Sequence, residues 1–318
     1  MKDEQRLPDT QQGKPGVSRR SFLKAITGTA AGIGISQMFN PALVKALEKG
    51  LKRHPVLWIQ GQGCTGCSVS LLNSSEPSIA DVLLKVISLQ FHPSVMASEG
   101  EISMENLYAV AKEYKGRFSL VVEGAIPVAE DGKYCIVGEM GHKELSMVDL
   151  VNDLGPMAGS TLAVGTCACY GGIPAAEGNV TGATGVMDFY KSEGIKTPVV
   201  NIPGCPPHPD WIVGSIAHLL TQGIPELDGD GRPVLFFGEN IHENCPRVEE
   251  YDESYHAANL SDPKGCRMDL GCKGPDVYAD CYKRKWNGGM NWCVDNSVCI
   301  GCVEPGFPDE FSPFYEPA

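Results

Sequence analysis

Cysteine is the residue type that offers the most chemistry in this chain of 318 residues, and seven of its thirteen copies follow residue 240. An odd number argues against a closed disulfide framework, and a chain of this length has an ample core without crosslinks. Metal binding is therefore the first chemistry that the sequence indicates. The cysteines are Cys64, Cys67, Cys135, Cys167, Cys169, Cys205, Cys245, Cys266, Cys272, Cys281, Cys293, Cys299 and Cys302.

Two Cys-x-x-Cys pairs stand out among these residues. Cys64 and Cys67 lie in the glycine-rich run GQGCTGC, while Cys299 and Cys302 precede Pro305, in a pattern typical of ferredoxins. Zinc also accepts four thiolates, and a single Cys-x-x-Cys pair can be a redox dithiol. The spacing of these two pairs alone leaves the kind of metal open.

Strands and helices must position these thiols, and short apolar runs alternate with helical patterns from Pro55 to about Pro225. We predict buried strands at 56–59, 118–122, 161–164 and 198–202, and helices at 79–89, 104–114, 146–154 and 211–221. This alternation predicts an α/β fold with a flavodoxin-like, doubly wound parallel sheet.

The predicted strands run directly into four of the cysteines. The first strand leads to Cys64 and Cys67, the third to Cys167 and the fourth to Cys205. The carboxyl ends of the strands in an open α/β sheet line one crevice, and ligands bind there. We therefore expect these four thiols to converge at one edge of the sheet.

The amino-acid composition changes after about Asp228, where Gly, Pro, Asn and Asp become frequent and a cysteine appears about every ten residues. We predict that such a segment is mostly irregular and is organised around metal.

The N-terminal residues have the pattern of an export signal. Arg19 and Arg20 form a twin-arginine pair, and the small, uncharged run 25–39 follows them. The alternative, a short surface helix, is weakened by the glycines and threonines between residues 27 and 34. We predict a signal peptide over residues 1–46 and a periplasmic mature protein.

The formal net charge of −13 and the lack of a basic patch exclude nucleic acid as a favourable partner. The sequence contains no run of 18 apolar residues, so we expect no transmembrane anchor in this chain.

Six motifs in order resemble the small, electron-transferring subunit of nickel–iron hydrogenases. They are GCTGC (63–67), GTCACYGG (165–172), PGCPPHPDW (203–211), IHENCP (241–246), GCKGP (271–275) and NWCVDNSVCIGC (291–302). The resemblance implies a flavodoxin-like domain over residues 55–227 that binds a proximal cluster, and an iron–sulfur domain over residues 228–318. It also implies a heterodimer with a large subunit that holds the Ni-Fe(Se) centre, where H2 is split or made.

The same resemblance implies a ligand set for each of three 4Fe–4S clusters. The proximal set is Cys64, Cys67, Cys167 and Cys205; the distal set is His242, Cys245, Cys266 and Cys272; the medial set is Cys281, Cys293, Cys299 and Cys302. Cys135 and Cys169 are left over, and we interpret them as buried free thiols.

Cys293 departs from the usual pattern of the family. Standard members have a proline there and a three-iron medial cluster, whereas a fourth thiolate suits a 4Fe–4S cluster. This feature resembles the nickel–iron–selenium branch. Gly66 and Gly172 occupy the places where oxygen-tolerant members have two additional cysteines, so that modification of the proximal cluster is not expected.

The sequence offers no catalytic acid or base that we would assign. We interpret His208 as a residue that supports the site, and Glu123 as a hydrogen-bond partner at a strand end. The resemblance implies a multihaem cytochrome c such as cytochrome c3 as electron partner, beside acidic residues near His242. These are Glu239, Glu243, Glu249, Glu250, Asp252 and Glu253.

Three other hypotheses remain at this point. They are a cluster-bearing subunit of a related quinone-linked respiratory complex, a secreted disulfide-crosslinked protein, and a zinc protein.

Overall fold

Five parallel strands form the centre of the molecule in the computed structural model, which describes residues 54–75 and 77–316. The predicted signal peptide lies outside these residues. The strands are β1 (His54–Gln60), β2 (Ile87–Phe91), β3 (Ser119–Glu123), β4 (Ser160–Val164) and β5 (Val199–Ile202). Their order is β2-β1-β3-β4-β5, which confirms the predicted flavodoxin-like sheet.

The predicted helix over residues 79–89 is wrong in its second half. Only Ile79–Asp81 is α-helical, Val82–Val86 forms one π-helical turn, and the chain then becomes the edge strand β2. Ile87 and Phe91 are buried, and β2 pairs in parallel with β1. The apolar residues fit a helical period up to Val86. The residues that follow form a strand because they pair with the open edge of β1.

In the described part of the chain, six helices lie around the sheet, and they include the other three predicted helices. They are α1 (Gly66–Leu72), α2 (Gly100–Glu113), α3 (Met147–Leu154), α4 (Thr166–Tyr170), α5 (Val186–Glu193) and α6 (Pro209–Gln222). Ser146 starts α3 with a capping box to Asp149, and Pro209 starts α6 at a position where a proline costs no hydrogen bond.

Smaller elements complete the fold. Two antiparallel pairs join Ile126–Pro127 to Ala183–Thr184 and Ile136–Met140 to Lys143–Ser146. The C-terminal segment has short helices at Val234–Phe237, Val248–Asp252, Cys281–Arg284 and Cys293–Asn296. Single 3-10 turns lie at Ala129–Gly132, Gly155–Met157, Ile173–Ala175, Met268–Leu270, Gly274–Asp276 and Asp309–Phe311. Within the described residues, no helix is both long and apolar enough to cross a membrane.

The two faces of the sheet are buried against different parts of the chain. Leu57, Ile59 and Leu120 face a core that includes α2, α3 and α5. Val56 and Trp58, on the opposite face of the same strand, face a core built largely by the C-terminal segment. That segment contributes Phe236, Phe237, Ile241, Val277, Trp292, Val294, Val303, Phe307 and Phe311. The cysteine-rich segment is therefore held by apolar packing on the sheet as well as by whatever its thiols bind.

The register of the strands brings their carboxyl ends level. Gln60 lies beside Glu123, and Glu123 lies beside Val164. Val164 in turn lies beside Ile202, so the loops after these strands leave the sheet at one edge.

A buried ion pair joins the start of the C-terminal segment to its end. Arg232 and Glu304 are both buried, and Arg232 Nη1 lies 2.7 Å from Glu304 Oε2. Arg232 Nε also donates to Asp228, while Glu304 Oε1 accepts from the Tyr278 backbone N–H. The pair therefore fixes three separate stretches of chain.

Replacing Arg232 with Met is expected to lower the free energy of unfolding by about 3–5 kcal/mol, because it leaves the Glu304 carboxylate buried without its partner. Chemical denaturation measures the change. Lys143→Met is the control, since Lys143 pairs with Asp149 at 3.9 Å on the surface and its loss is expected to cost under about 1 kcal/mol. Equal losses in the two variants would contradict a structural role for the buried pair.

Candidate iron–sulfur sites

The four thiols of the proximal set lie together at the carboxyl edge of the sheet. Cys67 interacts electrostatically with Cys64 and Cys167, and Cys205 interacts with Cys64 and Cys167. Cys64 and Cys205 are exposed, whereas Cys67 and Cys167 are half-buried. The structure therefore has these four thiols at the edge of the sheet where the strand ends predict them.

Close backbone approach shapes this site. Gly165 has a φ of +93°, and a side chain there would overlap the Cys67 sulfur. Thr166 connects the loops, because its hydroxyl accepts from the Gly204 backbone N–H at 2.9 Å and donates to the Cys302 carbonyl at 2.5 Å. Thr166 ties the proximal set to the C-terminal segment, a role that the sequence analysis missed.

Glu123 is the buried centre of a hydrogen-bond network beside Cys67. Its carboxylate accepts from Trp58 Nε1 at 2.9 Å, from Gln60 Nε2 at 2.8 Å and from the backbone N–H and hydroxyl of Ser68. Burial, and then the Glu123 charge, raise the pKa of the Cys67 thiol. Glu123 therefore fixes the loop and α1 through hydrogen bonds, in agreement with its interpretation from the sequence.

The distal set lines one pocket in the C-terminal segment. His242, Cys245, Cys266 and Cys272 all contribute to its wall. The backbone N–H of Arg247 donates to Cys245 Sγ at 3.4 Å. Arg267, Trp292 and Val294 also line the pocket and were not singled out from the sequence.

The medial set lies between the other two. Cys281 interacts with Cys293 and Cys302, and Cys299 interacts with Cys293 and Cys302. Cys281 and Cys299 are buried, and Cys293 is exposed. The structure thus brings Cys293 into the group to which the family resemblance assigns it.

Contacts between the sets define their order. Thr166, beside Cys167 of the proximal set, donates to the Cys302 carbonyl of the medial set at 2.5 Å, and Cys205 interacts electrostatically with Cys302. Cys272 of the distal set interacts with Cys293 and Cys299. The sequence of contacts runs from proximal to medial to distal.

The donors fit iron–sulfur clusters. Soft thiolates with backbone N–H groups directed at their sulfurs are the ligands that such clusters take. Among the described residues, no three His, Cys, Asp or Glu side chains meet closely enough to hold a single metal ion.

Burial shapes the chemistry of these thiols. It raises the pKa of Cys167 and of Cys302 to about 11 in each case. Iron binding to such buried thiols would displace their protons.

Cys169, Cys135 and His208 are the other residues that the sequence analysis singled out. Cys169 is a buried free thiol whose Sγ donates to the Ala163 carbonyl at 3.3 Å, whereas Cys135 is free but only half-buried. His208 caps α6: its Nδ1 accepts from the Asp210 backbone N–H, its Nε2 lies 2.5 Å from the Lys285 carbonyl, and burial lowers its pKa. It is a neutral structural residue that supports the loop after Cys205.

The predicted acidic surface near His242 is smaller than its sequence suggests. Glu239 pairs with Lys283, and Glu250 pairs with Arg247 at 3.8 Å. Within residues 54–75 and 77–316, the exposed acidic residues of this stretch without an ion-pair partner within 4 Å are Glu243, Glu249, Asp252 and Glu253.

All thirteen cysteines lie within the described residues, and each is free of a disulfide. A flavodoxin-like domain with thiols at its sheet edge, followed by two further sets in a row, defines a class of protein that carries electrons through iron–sulfur clusters.

Two family descriptions match the chain. Residues 64–219 match the 20 kDa subunit of NADH ubiquinone oxidoreductase, the fold that a quinone-linked complex shares. Residues 237–315 match the C-terminal part of NiFe/NiFeSe hydrogenase small subunits. The second match favours a hydrogenase small subunit over a subunit of a quinone-linked respiratory complex.

Individual relatives agree over nearly the whole chain. The periplasmic [NiFeSe] hydrogenase small subunit of Desulfomicrobium baculatum is 57% identical, with 94% of this chain and 98% of the relative covered. The periplasmic [NiFe] hydrogenase small subunit 1 of Nitratidesulfovibrio vulgaris is 39% identical, with 95% and 94% covered. The structure of the recombinant [NiFeSe] hydrogenase from Desulfovibrio vulgaris Hildenborough has a TM-score of 0.82 at 62% identity, covering 84% of this chain and 98% of that one.

The chain belongs to the family of NiFe/NiFeSe hydrogenase small subunits, and it is more similar to the NiFeSe relative than to the NiFe one. As such it carries iron–sulfur clusters and forms a heterodimer with the hydrogenase large subunit, where the nickel site lies.

Proposed function

We propose that this subunit carries electrons between the Ni-Fe(Se) centre of the large subunit and a multihaem cytochrome c such as cytochrome c3, in the periplasm. The reaction of the whole enzyme is H2 = 2 H+ + 2 e−. The spatial order of the three sets supports this proposal. The medial set lies between the proximal and distal sets, so the three form one continuous path from the sheet edge to the pocket at His242. Each cluster, when bound, takes up and releases one electron at a time.

The chain's own residues control that path. The proximal set is Cys64, Cys67, Cys167 and Cys205, and its two exposed thiols lie at the surface that we assign to the large subunit. The medial set is Cys281, Cys293, Cys299 and Cys302, and the distal set is His242, Cys245, Cys266 and Cys272. A backbone N–H that donates to a ligand sulfur, as that of Arg247 does to Cys245, favours the reduced state of the site.

The ligand sets can be tested by comparing cysteines inside and outside them. Cys245→Ala is expected to lower the iron content of the purified heterodimer, because the distal set loses a thiolate. Cys135→Ala is the matched control, since Cys135 is half-buried and belongs to no set. Iron analysis that finds full iron in Cys245→Ala, or an equal loss in both variants, would contradict the distal assignment.

Export is proposed to depend on the twin-arginine pair. Changing Arg19 and Arg20 together to Lys is expected to leave the heterodimer in the cytoplasm, because the pair is the element of the signal that the exporter recognises. Hydrogenase activity in periplasmic and cytoplasmic fractions measures the effect. Lys14→Arg, a similar change outside the pair, is the control. Normal periplasmic activity in the double variant would exclude this export route.

The cytochrome partner is proposed from charge. Exposed Glu243, Glu249, Asp252 and Glu253 lie on the stretch that follows His242. A surface of this sign attracts a basic redox protein and raises its rate of encounter.

A further inference from the structure

An arginine beside the distal set has no carboxylate within ion-pair distance among the described residues. Arg267 follows Cys266 in the chain, exposes only 2% of its surface and lines the same pocket as His242 and Cys272. Among the described residues, it has no ion-pair partner within 4 Å. A buried cation without a partner carries a large cost in free energy, so its position calls for a reason.

The hydrogen bonds of Arg267 fix its guanidinium group without neutralising it. Nη1 donates to the carbonyls of Val294 and Ser297 at 2.7 and 2.6 Å. Nη2 donates to the carbonyls of Asp295 and Leu260 at 2.9 and 3.1 Å. All four acceptors are neutral backbone oxygens, so the group keeps its full charge in a fixed place.

One N–H of the same side chain lacks an acceptor. Arg267 Nε is buried and has no hydrogen-bond partner among the described residues. Nearly all buried donors in proteins are paired, so an unpaired one on a pocket wall indicates that the bound group supplies the acceptor. Sulfur of a cluster, or of its cysteine ligands, is such an acceptor.

A second arginine in the pocket provides the contrast. Arg247 also lines the pocket, but its Nη1 lies 3.8 Å from the carboxylate of Glu250 and 3.1 Å from the Gly265 carbonyl. Its charge is therefore balanced by Glu250. The two arginines differ in what they add to the electrostatic potential of the pocket.

We propose that Arg267 is a positioning residue that raises the reduction potential of the distal cluster, through a buried charge that no carboxylate contacts and through its Nε–H. The proposal rests on the distal ligand set given above. A cluster held by thiolates becomes more negative when it is reduced, so a nearby cation stabilises the reduced form. Because the cation is buried, salt screens it little.

The test is a redox titration of the purified heterodimer, followed by electron paramagnetic resonance. Arg267→Gln is expected to lower the equilibrium constant for reduction of the distal cluster about tenfold, which is about 59 mV for one electron. Arg247→Gln is expected to change that constant less than about threefold. The potentials of the other two clusters are expected to stay in place in both variants.

Two further variants keep the proposal falsifiable if Arg267→Gln fails to assemble. Arg267→Lys keeps the charge and is expected to retain most of the potential. Leu260→Glu places a carboxylate at an exposed residue whose carbonyl already binds Arg267, and it is expected to lower the constant about threefold with every Arg267 hydrogen bond intact. Equal shifts in Arg267→Gln and Arg247→Gln, or no shift in Leu260→Glu, would overturn the proposal.

The assignment of the distal signal is checked in the same series with His242→Cys. A shift of one cluster signal in that variant identifies the histidine-ligated cluster. If His242→Cys moves no signal, the proposed distal set fails. If it moves a signal that Arg267→Gln leaves in place, only the role of Arg267 fails.

Discussion

Replacing Cys293 with proline is expected to convert the medial 4Fe–4S cluster into a three-iron cluster with a higher reduction potential. Each corner iron of a cubane needs its own ligand, and Cys293 is the thiolate that completes the proposed medial set. Electron paramagnetic resonance of the oxidised heterodimer shows the conversion directly, because the three-iron signal is expected to be absent in the parent protein.

The local backbone is suited to this substitution. Cys293 is the first residue of the short helix Cys293–Asn296, where proline is tolerated, and Trp292 before it is extended with φ −119° and ψ 144°. Cys293→Ala is the control, because it removes the thiolate without adding a proline. A three-iron signal in Cys293→Pro alone would assign the effect to the backbone, and the same signal in untreated parent protein would exclude Cys293 as a ligand.

Replacing His242 with Ala is expected to slow electron delivery to a cytochrome at least about tenfold while hydrogen–deuterium exchange at the nickel site stays nearly intact. His242 is a ligand in the proposed distal set, and exchange requires no electron to leave the protein. Its ring packs edge-on against Tyr251 with 4.6 Å between centroids, so Tyr251→Leu is the control for lost packing. Both activities are measured in one preparation. Equal loss of both would assign His242 to folding or assembly.

The docking surface is tested in the same assay across a salt series. The rate with a basic cytochrome is expected to fall as salt rises, because screening weakens attraction between exposed charges. Glu249→Lys is expected to reduce the salt dependence, whereas Glu105→Lys, at an exposed position on α2, is expected to leave it unchanged. Transfer that is independent of salt would exclude an acidic docking surface.

The proximal site could be predicted from the sequence because its geometry follows from strand ends. Cys64, Cys167 and Cys205 each lie a few residues after a buried strand, and parallel strands bring those ends to one edge. The edge strand β2 could not be predicted in the same way. Its residues continue an apolar run whose first half is helical, and only pairing with β1 distinguishes the two states.

The grouping of His242 with three cysteines at the distal pocket could be predicted from the sequence, but the electrostatics of the pocket could not. The order of the motifs indicated His242 and the three cysteines, because positions in the family motifs can be matched to this sequence residue by residue. Arg267 leaves no such signal, because its partners are backbone carbonyls of residues 260 to 297 that any sequence supplies. For the same reason the burial of the aromatic residues of the C-terminal segment against the sheet appears only in three dimensions.

Metal analysis of the heterodimer purified from its native host tests the central claim most directly. We expect about thirteen irons for each nickel: about twelve in three cubanes of this subunit and one in the nickel–iron site of the large subunit. A count near five irons for each nickel, with zinc present in place of the missing iron, would contradict a relay of three iron–sulfur clusters in this chain.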